Sequence, residues 1–324
     1  MPCVFCCIIS VIRFLYYQWR HRFRMIITHR ISLTKLVRFT WPQLLALLGF
    51  IVLSCVAMAN IPQELLRALS FAAGFLGTAL AFLIGFRNNA AYSRWWEGHK
   101  VWSQLKYGSR SFGLFVQGLV GGNDALLAEQ RTLIRRQIAF AWRLNHFLRK
   151  LPSGAQEASL LNESEQAAIE QQATPPLAIL NLQNQSLRAL AEQGQLDSYQ
   201  HLRLIDCLET FTQVLGSCER LKKTPFPMQY TWFMNYTLTV FLFVLPVSLA
   251  GHLGYWSIPF SLLIGYAYIM LEYVGRHIER PFENTVNDVP MDYIARTIEI
   301  DLGQLMGDSD LPKPIEPQGK GYLY

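Results

Sequence analysis

The chain has 324 residues, of which 51% are hydrophobic and only 16% charged, against roughly 25% charged in an ordinary soluble domain. That imbalance points to lipid and away from a soluble enzyme or binding module. The net charge of +6 comes from basic residues that flank apolar stretches, so it reads as a topology signal and not as a nucleic-acid-binding patch.

Residues 1–41 form an N-terminal segment. Its opening, MPCVFCCIISVIRFLYYQWRHRFRM, places an apolar run before the basic residues, the reverse of a secretory signal, and no signal peptide is expected. Met25 is a second candidate start, because MIITHRISLTKLVRF reads as a short basic, amphipathic lead-in to a membrane span. Cys3, Cys6 and Cys7 have no second Cys or His pair at zinc-site spacing. With Cys55 in a span and Cys207 and Cys218 in a helix, no disulfide framework is implied. No metal and no cofactor is expected.

Three charge-free stretches follow. They run from Arg38 to Glu64, from Arg67 to Arg87 and from Thr224 to Leu271. A membrane-spanning helix needs about 20 mostly apolar residues. The first two stretches hold one span each, about 42–60 and 66–86. The third holds two, about 229–250 and 257–274, divided near GHLGYWSIP. Of the 29 Lys and Arg, seven precede the first span, sixteen lie from Arg87 to Lys223 and five follow Glu272. Under the positive-inside rule both termini and the long middle segment are cytoplasmic. The expectation is therefore a multi-pass protein of the cell inner membrane. Its parts are transmembrane helices 1 and 2 in 42–86, a cytoplasmic helical region in 87–227, helices 3 and 4 in 228–274, a cytoplasmic C-terminal segment in 275–307 and an extended tail in 308–324.

The middle region reads as helical, and the fold class as all-α. Apolar residues recur at helical spacing through TLIRRQIAFAWRLNHFL (132–148) and LDSYQHLRLIDCLETFTQVLGSCERL (196–221), with LPSG (151–154) as a loop. Pro175 and Pro176 mark a helix start. The stretch QEASLLNESEQAAIEQQA reads as a polar helix with a solvated face, and its NES at 162–164, although a glycosylation sequon, is discounted as cytoplasmic. Near the membrane, Glu272, His252, His277 and Glu279 form no metal or nucleophile constellation. Glu272 is expected to pair or cap within the bundle, and no enzymatic activity is expected.

The second span carries the most information. Phe71, Phe75, Thr78, Phe82 and Phe86 form one stripe; Ser70, Gly74, Gly77, Ala81 and Gly85 form another about 100° away. Small residues let helices approach closely in lipid, so Gly74, Gly77, Ala81 and Gly85 read as a packing face. The aromatic stripe has two open readings. It faces lipid, or it faces an axis shared by copies of the chain, where Phe82 and Phe86 would form an apolar constriction that gates by dewetting. In the second reading Arg87, Asn88 and Asn89 form the inner mouth; a lipid-facing or salt-bridged Arg87 is the alternative.

IGFRNNAAYSRWWEG and GRHIERPFENTVNDVPMDYIARTIEIDLGQLMG resemble the bestrophin family, more closely its bacterial members, over about residues 30–307. The resemblance implies a homopentameric ion channel whose neck is lined at the positions of Thr78, Phe82 and Phe86. It also implies a cytoplasmic constriction after TPP, at Leu177 or, as second choice, Leu180. Two departures stand out. Thr78 occupies a position that is commonly bulky and aliphatic in the family, and ENTVNDVP offers only Glu283 and Asp288 where eukaryotic members hold calcium with several acids. The expected partners are the chain itself, the lipid bilayer and small inorganic ions. Aromatic edges are electron-poor, so edge-on Phe rings favour anions such as chloride. A cation-selective channel and a membrane-anchored signalling or scaffold protein remain as alternatives.

Overall fold

The structure, a computed structural model, describes residues 44–45, 47–54, 56, 62–284 and 288–316, with backbone alone at 25–26, 63, 65–67 and 322–323. Cys3, Cys6, Cys7, Cys55, the N-terminal lead-in and much of the first expected span fall outside these residues. The chain divides into two compact units. The first comprises Met1–Arg22, Thr28–Ser93 and Phe226–Glu279; the second comprises Phe23–Ile27, Arg94–Pro225 and Arg280–Tyr324.

The first unit is built from helical residues 47–54 (α1), the beginning of the 57-residue helix α2 (Gln63–Leu119), α8 (Met228–Leu253) and α9 (Ser257–Ile278). Its core forms where Leu80 and Ile84 of α2 meet Met234, Leu238, Phe241 and Leu245 of α8. Phe241 lies against Tyr268 of α9 with ring centroids 4.8 Å apart. The Tyr268 hydroxyl donates to the Gly77 carbonyl at 3.0 Å, and Ser70 Oγ donates to the Ser248 carbonyl at 2.7 Å. Such interhelical bonds satisfy hydroxyls that would otherwise sit unpaired in an apolar setting. α8 is apolar around its circumference, as a helix with no solvated face should be. It ends at Gly254, whose φ of 53° is open to glycine without strain. A single 3-10 turn, Gly254–Trp256, then reverses the chain into α9, at the division expected from GHLGYWSIP. Ala68–Leu119 and Met228–Ile278 are both long and apolar enough to cross a membrane.

The second unit gathers the rest of α2 with α3 (Asp124–Arg149), α4 (Ala155–Ala158), α5 (Glu163–Glu170), α6 (Pro175–Glu192), α7 (Ser198–Lys223) and α10 (Met291–Met306). α3 is its centre, with Leu133, Ile134, Ile138, Phe140 and Leu144 buried against the helices around it. Phe211 of α7 packs between Phe112 and Phe140, at centroid distances of 5.9 and 5.8 Å. The helix starts follow local chemistry. Asn123 Oδ1 accepts from the Leu126 N–H, Asp197 and Gln200 form a reciprocal capping box, and Pro175 stands at the first turn of α6. The only sheet among the described residues pairs Met25–Ile26 with Tyr322–Leu323, two residues a side, so the all-α class stands.

One stretch differs from its sequence reading. QEASLLNESEQAAIEQQA is not one solvated helix but two short ones, α4 and α5, divided at Asn162. The Asn162 side chain caps α5 in a capping box with Glu165, and Ser164 Oγ donates to Asn162 Oδ1. The sequon is thus a helix cap. Two of the four acids of this stretch turn inward: Glu157 and Glu165 are buried and pair with Arg143 and Arg136 at 2.8 and 2.6 Å. Charge pairing across helices, invisible to periodicity, overrides the polar composition.

Burial alone would push the Glu157 carboxyl up, but hydrogen bonds from His146 and Ser153, with the charges of Arg143 and His146, outweigh it and hold it below the usual carboxylate range. A carboxylate depressed in the folded state contributes stability above its unfolded value, which is lost as pH falls through the folded value. The melting temperature of the parent should therefore fall more steeply below about pH 4.5 than that of Glu157→Gln, which should already be destabilised at pH 7. Parallel thermal melts between pH 7 and pH 3 check this; equal slopes would remove Glu157 as a source of acid sensitivity. By contrast, burial raises the Cys207 and Cys218 thiols, Cys218 more strongly, so both are weak nucleophiles.

Candidate pore-lining helix

Within the first unit, α2 has one packed face and one open face. Ala73, Gly77, Leu80, Ile84, Arg87 and Ala91 are buried. They recur every three or four residues, so they form one stripe of the helix. Phe71, Gly74, Phe75, Thr78, Phe82, Gly85, Phe86 and Asn89 are on the open side. Phe82 and Phe86 retain 65% and 68% of their surface. Phe71 and Phe75 also stand free on this side, their rings edge to face at 4.9 Å. The Thr78 hydroxyl donates to the Gly74 carbonyl at 2.9 Å, which uses its proton and leaves its oxygen lone pairs outward.

The small-residue stripe divides between the two faces. A Cβ added at Gly77 would lie 2.9 Å from the Phe241 ring, whereas Gly74 and Gly85 have no neighbour within 4 Å and Ala81 is exposed. Gly77 was read as part of a packing face, and its close neighbour is an aromatic ring of the same chain. Substituting leucine there would disturb the α2–α8 core before it disturbed assembly. Gly74, Ala81 and Gly85 keep an open surface beside the phenylalanines.

Arg87 departs furthest from its expected place at an inner mouth. It is 1% exposed. Its Nη1 donates to Glu272 Oε1 at 2.8 Å and its Nη2 to Glu279 Oε2 at 3.2 Å. Arg276 Nε also donates to Glu272 Oε1 at 3.0 Å, its Nη2 donates to Asn235 Oδ1, and Glu279 Oε1 accepts from the Phe226 N–H at 3.1 Å. Two guanidinium groups and two carboxylates thus neutralise one another inside the unit. The cause is register: residue 87 is seven beyond Leu80 and three beyond Ile84, on the packed stripe. Asn88 also turns inward. Its Nδ2 donates to the Leu271 carbonyl at 3.0 Å, and its Oδ1 lies where a Cβ on Gly275 would have to sit. Asn89 alone of the three keeps to the open face, seven residues after Phe82.

The remaining candidates fall in the second unit. Leu177, on the first turn of α6, is 46% exposed, whereas Leu180 is 4% exposed and belongs to the core. Leu180, the second choice for a constriction, is therefore replaced by packing: three residues on from Leu177, it has rotated onto the face that meets α3. In the stretch compared with the eukaryotic calcium site, Thr285–Asn287 are outside the described residues. Glu283 accepts from Lys222 Nζ at 2.9 Å, and Asp288 is buried. Of the ionisable groups near the membrane, Glu272 and Glu279 are absorbed by the arginine clamp. His277 Nδ1 lies 3.0 Å from the Tyr273 carbonyl, and His252 is exposed in the last turn of α8.

The clamp was partly legible, since Glu272, an acid within the fourth expected span, was expected to pair within the bundle, and a salt-bridged Arg87 was one of the two readings of that residue. Its second acid, Glu279, carried no such signal.

Comparison with known proteins bears on this geometry. Residues 17–304 match the family described as Bacterial/Fungal Bestrophin protein. The chain is 36% identical over 242 residues to the voltage-dependent anion channel-forming protein YneE of Escherichia coli, covering 75% of this chain and 78% of that one. It is 30% identical over 296 residues to a voltage-dependent anion channel-forming protein of Ralstonia nicotianae, covering 90% of this chain and 94% of the relative. Among solved structures, a crystal structure of a bacterial bestrophin homologue from Klebsiella pneumoniae aligns with a TM-score of 0.77 at 28% identity, covering 82% of this chain and 98% of that one.

Proposed function

Because this chain belongs to the bacterial/fungal bestrophin family, we propose that it forms a homopentameric membrane channel passing small anions such as chloride. In this reading α2 of each copy faces the shared axis, Thr78, Phe82 and Phe86 line the neck, and Asn89 receives the ion at its inner end. Gly74, Ala81 and Gly85 admit the neighbouring copy, and Leu177 narrows the cytoplasmic path. The termini and the region from 87 to 227 lie on the cytoplasmic side of the inner membrane, following the distribution of basic residues. The conduction path contains no catalytic step.

The observation that carries the reading is the open face of α2. Phe82 and Phe86 keep about two thirds of their surface on a helix whose other face is packed, and they share that face with small residues at van der Waals spacing from nothing. A lipid-facing stripe has no use for Gly74 and Gly85 beside it, whereas a close helix neighbour does. The preference for anions rests on the positive edges of aromatic rings and on the names of the relatives. With Arg87 neutralised by Glu272 and Glu279, the neck's selectivity depends on ring orientation and not on that charge.

Reversal potentials of the purified protein in planar bilayers under a KCl gradient test the reading. The expected value lies toward the chloride equilibrium potential. A value toward potassium would establish a cation channel, and assembled protein that carries no current would favour a scaffold role.

A further inference from the structure

At the C-terminal ends of α3 and α7, beside the Arg280–Glu283 turn, the second unit holds a cavity of about 520 Å³. Five cations line it, Arg94, Lys150, Lys222, Lys223 and Arg280, against two carboxylates, Glu219 and Glu283. Phe147, Leu221, Pro225 and Phe282 supply apolar wall.

The cations are not equivalent. Arg94 is committed to structure, its two terminal nitrogens donating to the Leu221 and Thr224 carbonyls at 2.7 Å each. Lys222 pairs with Glu283 at 2.9 Å and Lys223 with Glu219 at 3.0 Å, in solvent-accessible pairs of the kind that contribute little and that an incoming anion can open. Lys150 and Arg280 are exposed, and among the described residues their side chains have no ion pair or hydrogen bond. They are the charges left for a ligand.

Basic residues at helix C-termini ordinarily offset the helix dipole, and that accounts for Lys222 and Lys223. Lys150 and Arg280 also stand near helix ends, but among the described residues they pair with no acid. Two carbonyls at the end of α7, those of Leu221 and Thr224, are taken by Arg94, and two at the end of α3, those of Phe147 and His146, by the Lys150 and Leu151 N–H groups at 3.1 and 2.9 Å. Lys150 adopts φ 56°, a left-handed conformation that is costly for a residue with a Cβ and that glycine usually fills at a helix end. Asn284, beside Glu283, is the other non-glycine residue at positive φ among those described. Of these two positions, Lys150 itself lines the cavity, and Asn284 directly follows the lining residue Glu283.

In the chain, Pro225 lies three residues before α8 begins at Met228, and Arg280 two residues after α9 ends at Ile278, so the cavity's residues adjoin apolar helices in sequence. Clusters of basic residues that adjoin such helices in the chain suit anionic phosphate, and a guanidinium offers it paired donors.

We propose that this cavity is a binding site for a phosphate-bearing anion, with Lys150 and Arg280 as its primary contacts and Lys222 and Lys223 as secondary ones. The phosphate comes from an anionic phospholipid headgroup, whose glycerol backbone would rest on Phe147 and Pro225, or from a soluble phosphate; the chemistry recognised is the same. The test is a binding measurement on the full-length protein in neutral detergent, so it stands or falls separately from conduction. Melting temperature is followed while short-chain phosphatidylglycerol, short-chain phosphatidylcholine or inorganic phosphate is titrated in. Phosphatidylglycerol should stabilise the parent where phosphatidylcholine does not. Its affinity should fall about five-fold for each charge removed in K150A and R280A and roughly twenty-five-fold in the double variant, while K150R/R280K should retain it. Protection by phosphatidylglycerol alone assigns the site to lipid, and equal protection by inorganic phosphate assigns it to a soluble ligand. If neither stabilises the parent more than phosphatidylcholine does, or if K150A/R280A binds as tightly as the parent, the site is refuted. Should the double variant fail to assemble, K150A and R280A singly give the same decision.

Discussion

Phe82→Ala and Phe86→Ala are each expected to raise single-channel conductance while leaving assembly intact. Both rings stand on the open face of α2 and support nothing within their own unit, where the core beneath them is made by Leu80 and Ile84 against α8. Truncating either ring costs the fold little, since no cavity is created in a packed interior. In a pore lined by copies of α2, however, one substitution removes a whole ring of aromatic groups. The constriction widens and water enters it more readily, which lowers the barrier to an ion that must shed part of its hydration. A barrier lower by about 1.4 kcal/mol corresponds to about a tenfold faster passage, and an effect between two-fold and tenfold is expected for each variant. Phe71→Ala, on the same face but four turns from Phe86, serves as the control and should change conductance less. Single-channel recording decides the matter. Two assembled variants that conduct like the parent would place the aromatic stripe against lipid and end the neck assignment.

Arg87→Ala should strongly destabilise the first unit. It leaves Glu272 and Glu279 buried with one cation fewer, and removing one partner of a buried ion pair costs about 3–5 kcal/mol, a large share of the roughly 5–15 kcal/mol by which a domain is stable. Arg87→Glu should be worse, placing three carboxylates around one guanidinium. The expected result is a sharp loss of assembled protein on size-exclusion chromatography and a lower melting temperature. A shift of reversal potential is not expected. Arg87→Met combined with Glu279→Gln should recover part of the loss, because removing both charges avoids leaving one of them buried alone. The opposing result is equally clear: assembled Arg87→Glu channels whose reversal potential moves toward potassium at low ionic strength, where screening is weakest, would mean that the guanidinium faces the ion path.

The clamp also assigns a task to the end of the second apolar stretch. AFLIGFRNNAAYSRWWEG changes character at residue 87 because the helix there serves two faces at once. Inward, Arg87 and Asn88 fasten α2 to α9 through Glu272, Glu279 and the Leu271 carbonyl. Outward, the sequence passes from Phe82 and Phe86 to Asn89 without interruption. A single helix can therefore be held rigidly on one side while its other side stays available to a neighbouring copy and to ions.

What the sequence determined by itself is whatever depends on composition and local repetition. Charge-free runs marked the membrane-crossing capacity of the second and third stretches, because lipid tolerates few charges whatever the surroundings. Helical spacing predicted helices at 132–148 and 196–221, within or across α3 and α7, and the turn at Gly254 and the start of α6 at Pro175 follow from the stereochemistry of single residues. The stripe of Phe71, Phe75, Thr78, Phe82 and Phe86 was equally legible, since a face repeats every 3.6 residues. Tertiary structure alone decided which side of each stripe is covered. Periodicity places Gly77 with Gly74, yet only the arrival of Phe241 from α8 makes the first a core position and leaves the second open. Register puts Arg87 and Asn89 on different stripes, but nothing local says which stripe is covered, and the two carboxylates that claim Arg87 come from 185 and 192 residues further along the chain. Leu177 and Leu180 likewise differ only in which of them meets α3. Pairing between distant residues is set by the packing of whole helices, and no window of neighbouring residues contains the partner that determines it.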